Sequence, residues 1–265
     1  MDIEILYEDN DVLAINKPAG LVVHSDGKTD EMNLVDWLIS KYPEIKEVGE
    51  PTRLDARFRT QDSGRRKESP DIIHESKILN PESLEISRPG IVHRLDKETS
   101  GVMLIAKNQK SFENLKKQFQ QHKIQKVYQA FLIGELKQDV GIIDRPIGRS
   151  PADFRRWSAQ RGARGEMREA ITEYKVLERK DGYSFVEVYP KTGRTHQIRV
   201  HFKAINYPLV CDSLYAPSRE NSLGFERLAL HSYQVTFAGV DGQTHTVLAP
   251  YPEDFDTAVK ILKTS

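Results

Sequence analysis

Apolar positions along the chain alternate or cluster at intervals that predict a succession of strands with occasional helices. Alternation over residues 3–7 and 12–16, separated by Asn10-Asp11, predicts a strand pair. Lys17-Pro18-Ala19-Gly20 breaks that pattern, and residues 21–24 resume extended character. Leu34, Val35, Trp37, Leu38 and Ile39 fit a short helix with Asn33 as its cap and Pro43 as its stop. Residues 90–92 and the apolar run 102–106 read as two short strands flanking an irregular loop. A second, clearly amphipathic helix is predicted over 110–121, with Phe112, Leu115 and Phe119 inward and Ser111 at its start.

Downstream, a strand is expected over 127–134 and a hairpin of strands 171–177 and 182–189 around Asp181-Gly182. A helix over 195–205, late strands over 227–237 and 246–248, and a terminal helix over 254–262 complete the pattern. Strands and helices do not alternate regularly, so the fold class is α+β with a mixed, largely antiparallel sheet. Residues 44–88 differ from the rest. They are charged and interrupted by Pro51, Gly64, Pro70 and Pro81, and Phe58 is their only aromatic residue. That stretch reads as an insertion in a single domain running from 1 to 265, with Ile72-Ile73 and Ile78-Leu79 as its candidate anchors.

Composition narrows the classes. The 265 residues are 29% charged and 38% hydrophobic, which fits a cytoplasmic protein, and no apolar run has the length of a membrane span. The acidic start lacks the order of a signal peptide, and the single Cys211 excludes an internal disulfide. Net charge is zero, yet its distribution is uneven: residues 145–168 carry seven arginines against Asp153 and Glu166, with Phe154 and Trp157 among them. This segment suits phosphate contact and base stacking, and it equally fits a solvated charged loop.

One stretch carries candidate chemistry: His93-Arg94-Leu95-Asp96-Lys97-Glu98-Thr99-Ser100-Gly101. A carboxylate on a loop braced by strands is well placed to react, although an Asp before Thr-Ser-Gly is more commonly a turn residue. Arg53-Leu54-Asp55 repeats the tripeptide without its surroundings, which makes Asp55 a decoy. The nine-residue context resembles the signature of the RluA family of pseudouridine synthases. Further stretches resemble the same family in the same order: 16–24, Lys126-Val127-Tyr128-Gln129-Ala130, 189–201, and 209–215 as a packing segment.

The resemblance implies an RNA pseudouridine synthase fold, a bent sheet around a central RNA-binding cleft. It implies Asp96, Tyr128 and Arg199 as the active-site residues, with the Arg199 guanidinium paired to Asp96 and holding its rotamer. It also implies Arg94 as the residue occupying the space of a displaced base, and RNA, ribosomal or transfer, as partner. No cofactor and no metal are expected: His196 and His201, five apart, do not share a helix face. Lys191, Arg194, Arg155, Arg156, Arg161 and Arg164 are the candidate phosphate contacts. Lys17 receives no chemical role. The chain is expected to act as a monomer and to lack the small RNA-binding domain that many relatives carry in front. Two other readings stay open: an RNA-binding protein without catalysis on the same scaffold, and a glycosidase, which would need a second carboxylate.

Overall fold

The computed structural model describes residues 1–24, 31–50, 52–53, 85–86, 88–153, 155–217 and 223–263, with 52–53 and 85–86 described by backbone alone. Asp55, Phe154 and the apolar pairs at 72–73 and 78–79 lie outside the described residues. In chain order the strands are β1 (Ile5–Glu8), β2 (Val12–Lys17), β3 (Thr52–Arg53), β4 (Glu85–Ile86), β5 (Ser100–Ala106), β6 (Gln125–Ile133) and β7 (Val140–Asp144). They continue with β8 (Ile147–Arg149), β9 (Trp157–Ser158), β10 (Arg164–Arg168), β11 (Ile171–Lys180), β12 (Tyr183–Pro190), β13 (Leu230–Ala238) and β14 (Thr244–Leu248). Among the described residues four helices are interspersed: α1 (Leu34–Lys41), α2 (Gln109–Gln120), α3 (Gln197–Ala204) and α4 (Glu253–Lys263).

Nine strands form one sheet in the order β1-β2-β5-β13-β6-β12-β11-β7, with β14 paired to β13. All its pairs are antiparallel except β5 with β13. The expected mixed, largely antiparallel α+β architecture is therefore what forms. At every position β5 is buried, which is why it reads as an unbroken apolar run. Burial of Met103, Leu104 and Ile105, each 0% exposed, contributes roughly 1.5–3 kcal/mol per side chain. Gly101 permits the parallel pairing: its φ is 108°, and a Cβ there would meet the Ser232 carbonyl oxygen of β13.

Several boundaries differ from the sequence expectation, each for a local reason. Residues 21–24 form no strand, because the Leu21 carbonyl accepts from the Lys17 ammonium and the Val22 and Val23 carbonyls accept from the first N–H groups of α1. Residues 90–92 form a turn with one isolated bridge, Ile91 to Ile105. Asn108, not Ser111, caps α2; Ser111 is its reciprocal partner in a capping box. Pro43 ends α1 but opens a 3-10 turn (Pro43–Glu47) that buries Ile45, and Val48 is buried just after it, so the insertion leaves the core after residue 48 rather than at 44. The arginine-rich stretch forms a separate three-stranded sheet, β10-β8-β9, and β7 joins the edge of the main sheet.

Candidate active site

The loop between the turn at residue 90 and β5 holds the signature residues, and buried polar groups fix its shape. His93 accepts from the Leu104 N–H at Nε2 (2.9 Å) and stacks on Phe119 at 4.6 Å. Burial, and then the nearby Lys126 charge, brings its pKa down to about 3, so the ring is a neutral brace at neutral pH. Leu95 packs into the core, which turns the flanking Arg94 and Asp96 outward. Lys17 is fully buried and donates to the carbonyls of Pro18, Leu21 and Lys97 at 2.7, 3.0 and 3.0 Å. Burial lowers its pKa to about 7. Its place is architectural: it ties the 16–24 segment to the loop one residue beyond Asp96.

The start of α3 supplies the opposite wall. Gln197 accepts from the Thr192 hydroxyl (2.7 Å) and the Arg194 N–H (3.0 Å) and donates to Thr172 Oγ1 (2.9 Å). The His201 ring lies 2.9 Å from both Thr172 Oγ1 and the Arg145 carbonyl. Both of its nitrogens therefore have partners within the fold. His196 precedes the helix on left-handed backbone, φ 54°, which turns the chain into α3.

Across the cleft, Arg199 Nη1 donates to Asp96 Oδ2 at 3.1 Å. Its other edge is gripped by Asp212, with Nε to Oδ2 at 2.8 Å and Nη2 to Oδ1 at 2.7 Å. Burial works against the charge of Arg199, but the hydrogen bonds to Asp212 and the two carboxylate charges raise its pKa above the ordinary value. Arg199 and His196, whose Nε2 is 3.9 Å away, both approach Oδ2, which leaves Oδ1 without a protein partner among the described residues. Tyr128, on β6, lines the same cleft, and burial with the Asp96 charge pushes its hydroxyl up to about 12. From sequence alone 209–215 reads as a packing segment, with no role for Asp212. The signal was there: a carboxylate inside an apolar run must find a charged partner when buried.

The cleft has a volume of about 610 Å³. Among the described residues Asp96 is its one acidic lining side chain, set against Arg94, Lys126, Arg194 and Arg199. The second carboxylate that a glycosidase needs is not found there. Arg94 is exposed on the rim, and Arg194 lines the wall while its Nε donates to the Glu169 carbonyl at 2.9 Å. Lys191 lies outside that wall, paired with Glu173 at 2.8 Å. Arg155 and Arg156 converge on Asp153, at 2.9 and 3.4 Å, while Arg161 and Arg164 are exposed. Trp157 is not a free stacking platform: Arg149 lies 4.1 Å over its ring, and the ring packs on a cluster with Ile147, Val200 and Tyr215. Among the described residues no helix is long and apolar enough to cross a membrane, and no cluster of three His, Cys, Asp or Glu side chains is disposed to hold a metal ion.

A mixed sheet carrying one carboxylate in a cleft lined by cationic side chains has the charge to attract an anionic ligand and one acidic group to act on it. Comparison with known proteins narrows this. The family model described as RNA pseudouridylate synthase matches residues 11–204. An uncharacterized RNA pseudouridine synthase of Synechocystis is 32% identical over 98% of this chain and 69% of its own. One from Aquifex aeolicus is 38% identical over 86% of this chain and 60% of its own. The ribosomal large subunit pseudouridine synthase D of Neisseria meningitidis serogroup B is 33% identical, over 99% of this chain and 62% of its own. The chain thus spans roughly two thirds of these relatives' length. The human RNA pseudouridylate synthase domain containing 4 shares the fold, with a TM-score of 0.68 at 24% identity over 98% of this chain and 93% of that one. The chain belongs to the RNA pseudouridylate synthase family, whose members are isomerases acting on RNA.

Proposed function

We propose that this protein isomerises particular uridines in folded ribosomal or transfer RNA to pseudouridine, as a cytoplasmic monomer using neither metal nor organic cofactor. One observation carries the reading: the lone carboxylate of a cleft whose other charged walls are cationic. Such a cleft draws in a phosphodiester chain and offers one group for chemistry at the ribose.

The reaction breaks the N1–C1′ bond, turns the uracil and joins C5 to C1′. The C5 proton leaves and N1 gains one, so the atoms balance. The target base leaves its stack to reach the cleft, and Arg94 on the rim fills the space it vacates. Asp96 acts through Oδ1, either adding to C1′ or removing the C2′ proton, while Arg199 holds Oδ2. The Tyr128 ring stacks on the uracil, and its hydroxyl keeps its proton at neutral pH. Lys191, Arg194, Arg155, Arg156, Arg161 and Arg164 contact phosphates along the path to the cleft.

RNA transcribed with uridine tritiated at C5 tests this. Tritium release to water by the wild type, and none by Asp96→Asn, is expected. Release by Asp96→Asn at more than about one tenth of the wild-type rate would remove Asp96 from the chemistry.

A further inference from the structure

His196 is absorbed neither by metal binding nor by the Asp96–Arg199 pair, yet its ring stands between two parts of the molecule. Its Nε2 lies 3.9 Å from Asp96 Oδ2, and its Nδ1 lies 3.0 Å from the Tyr215 hydroxyl. That hydroxyl also lies 3.0 Å from the Trp157 main-chain nitrogen of β9. A main-chain N–H can only donate, so the Tyr215 oxygen accepts there. The hydroxyl keeps its own proton, which is then available for donation to His196 Nδ1. A neutral ring so held carries its own proton on Nε2, the nitrogen directed at Asp96. Burial pushes the Tyr215 hydroxyl up to about 12, so it keeps the proton it gives. Burial also lowers His196 below the ordinary histidine value, with the Asp96 charge opposing and the Arg199 charge adding to the shift, which favours the neutral ring at neutral pH. The Tyr215 ring meanwhile lies 5.0 Å under the Arg199 guanidinium.

We propose that His196 is a second positioning residue for Asp96: a neutral N–H donor, its tautomer set by Tyr215, that closes on Oδ2 when RNA fills the cleft and presents Oδ1 to the ribose. At 3.9 Å the contact is beyond hydrogen-bond reach, and contacts of this kind tighten in the reactive complex. The same hydroxyl joins β9 of the arginine-rich sheet to His196, so one hydrogen-bonded chain, Trp157 to Tyr215 to His196, runs from that sheet to the wall of the active site. The inference rests on Asp96 being the reactive carboxylate.

The tautomer is measured directly on the wild-type protein by long-range proton–nitrogen correlation, with the His196 signals identified by their loss in His196→Gln. Protonated Nε2 with bare Nδ1 is expected; the reverse tautomer would overturn the proposal whether or not the protein turns over RNA. Single-turnover rates at saturating RNA follow for His196→Gln, which keeps a neutral N–H donor, and His196→Leu, which does not; both bear similar backbone strain at this left-handed position. His196→Leu is expected to lose about 10- to 100-fold in rate with RNA affinity within about twofold, and His196→Gln to stay within about fivefold of wild type. Equal losses in both variants, or no loss in His196→Leu, would overturn the positioning role. A wild type that turns over no RNA defeats the functional reading alone and leaves the tautomer to decide the arrangement around His196.

Discussion

Asp212 holds Arg199 by both carboxylate oxygens, at 2.7 and 2.8 Å, and so leaves the third guanidinium nitrogen for Asp96. The Asp212 side chain is completely buried and also accepts from the Leu214 and Tyr215 N–H groups at 3.1 and 3.0 Å. The aim of Arg199 at Asp96 is thus set from behind, by a residue that does not line the cleft. Asp212→Asn keeps the shape but weakens the grip. It is expected to lower the single-turnover rate by about 100-fold, the scale of a misplacement near 1 Å, while RNA affinity stays within a few-fold. Asp212→Ala leaves a buried guanidinium short of a partner and is expected to destabilise the fold by about 3–5 kcal/mol, read by urea unfolding. A fully active Asp212→Ala enzyme would show that Arg199 needs no such support.

Gly101 joins the loop to the sheet where β5 pairs with β13, opposite Ser232. With φ at 108° and the Ser232 backbone where a Cβ would stand, Gly101→Ala meets both a strained conformation and a backbone clash. The expected cost is about 3 kcal/mol or more, visible as a lowered urea midpoint. Gly20→Ala serves as a control, since at φ 82° it has the strain without the clash and is expected to lose roughly 1 kcal/mol.

Acid should loosen the loop. The folded His93 pKa is about 3 and that of His231 about 4, both lowered chiefly by burial, against an ordinary 6.5. Below pH 6.5 the unfolded chain takes up protons that the native state excludes, so stability is lost as pH falls from 6.5 toward 3–4. Each such proton contributes a slope of up to about 1.4 kcal/mol per pH unit. His93→Gln is expected to remove about one proton's share of the slope between pH 6 and 4, measured by unfolding at a series of pH values. An unchanged slope would mean that His93 is protonated in the folded protein.

The arginine-rich sheet is expected to bind phosphates unevenly. Arg155 is already paired with Asp153, whereas Arg161 and Arg164 are exposed on and beside β10. The double substitution of Arg161 and Arg164 to Ala should reduce the slope of log affinity against log salt by about 2, and Arg155→Ala should change it by well under 1. Equal effects would indicate that the Asp153 pairs open when RNA binds.

Local patterns made most elements legible in the sequence. The Asp181-Gly182 hairpin, the capped α1 and the amphipathic α2 follow from spacing alone. Side chains competing for backbone groups defeated other expectations: Lys17 and the start of α1 claim the carbonyls of residues 21–23 before a ladder can form. The parallel pairing of β5 with β13 joins residues 131 positions apart and leaves no periodic trace. In the site, the resemblance pointed to Asp96, Tyr128 and Arg199, and the fold brings them to one cleft. Asp212, Tyr215 and the tautomer of His196 act through other residues, and such roles become visible only once the partners are placed in space.

The most direct test of the central claim is pseudouridine mapping on unmodified ribosomal and transfer RNA treated with the purified wild type and with Asp96→Asn in parallel. Conversion at discrete uridines by the wild type and none by Asp96→Asn, with RNA binding retained in both, is the expected result. Conversion by Asp96→Asn, or salt-sensitive binding by the wild type without conversion of any uridine in either RNA, would contradict the account.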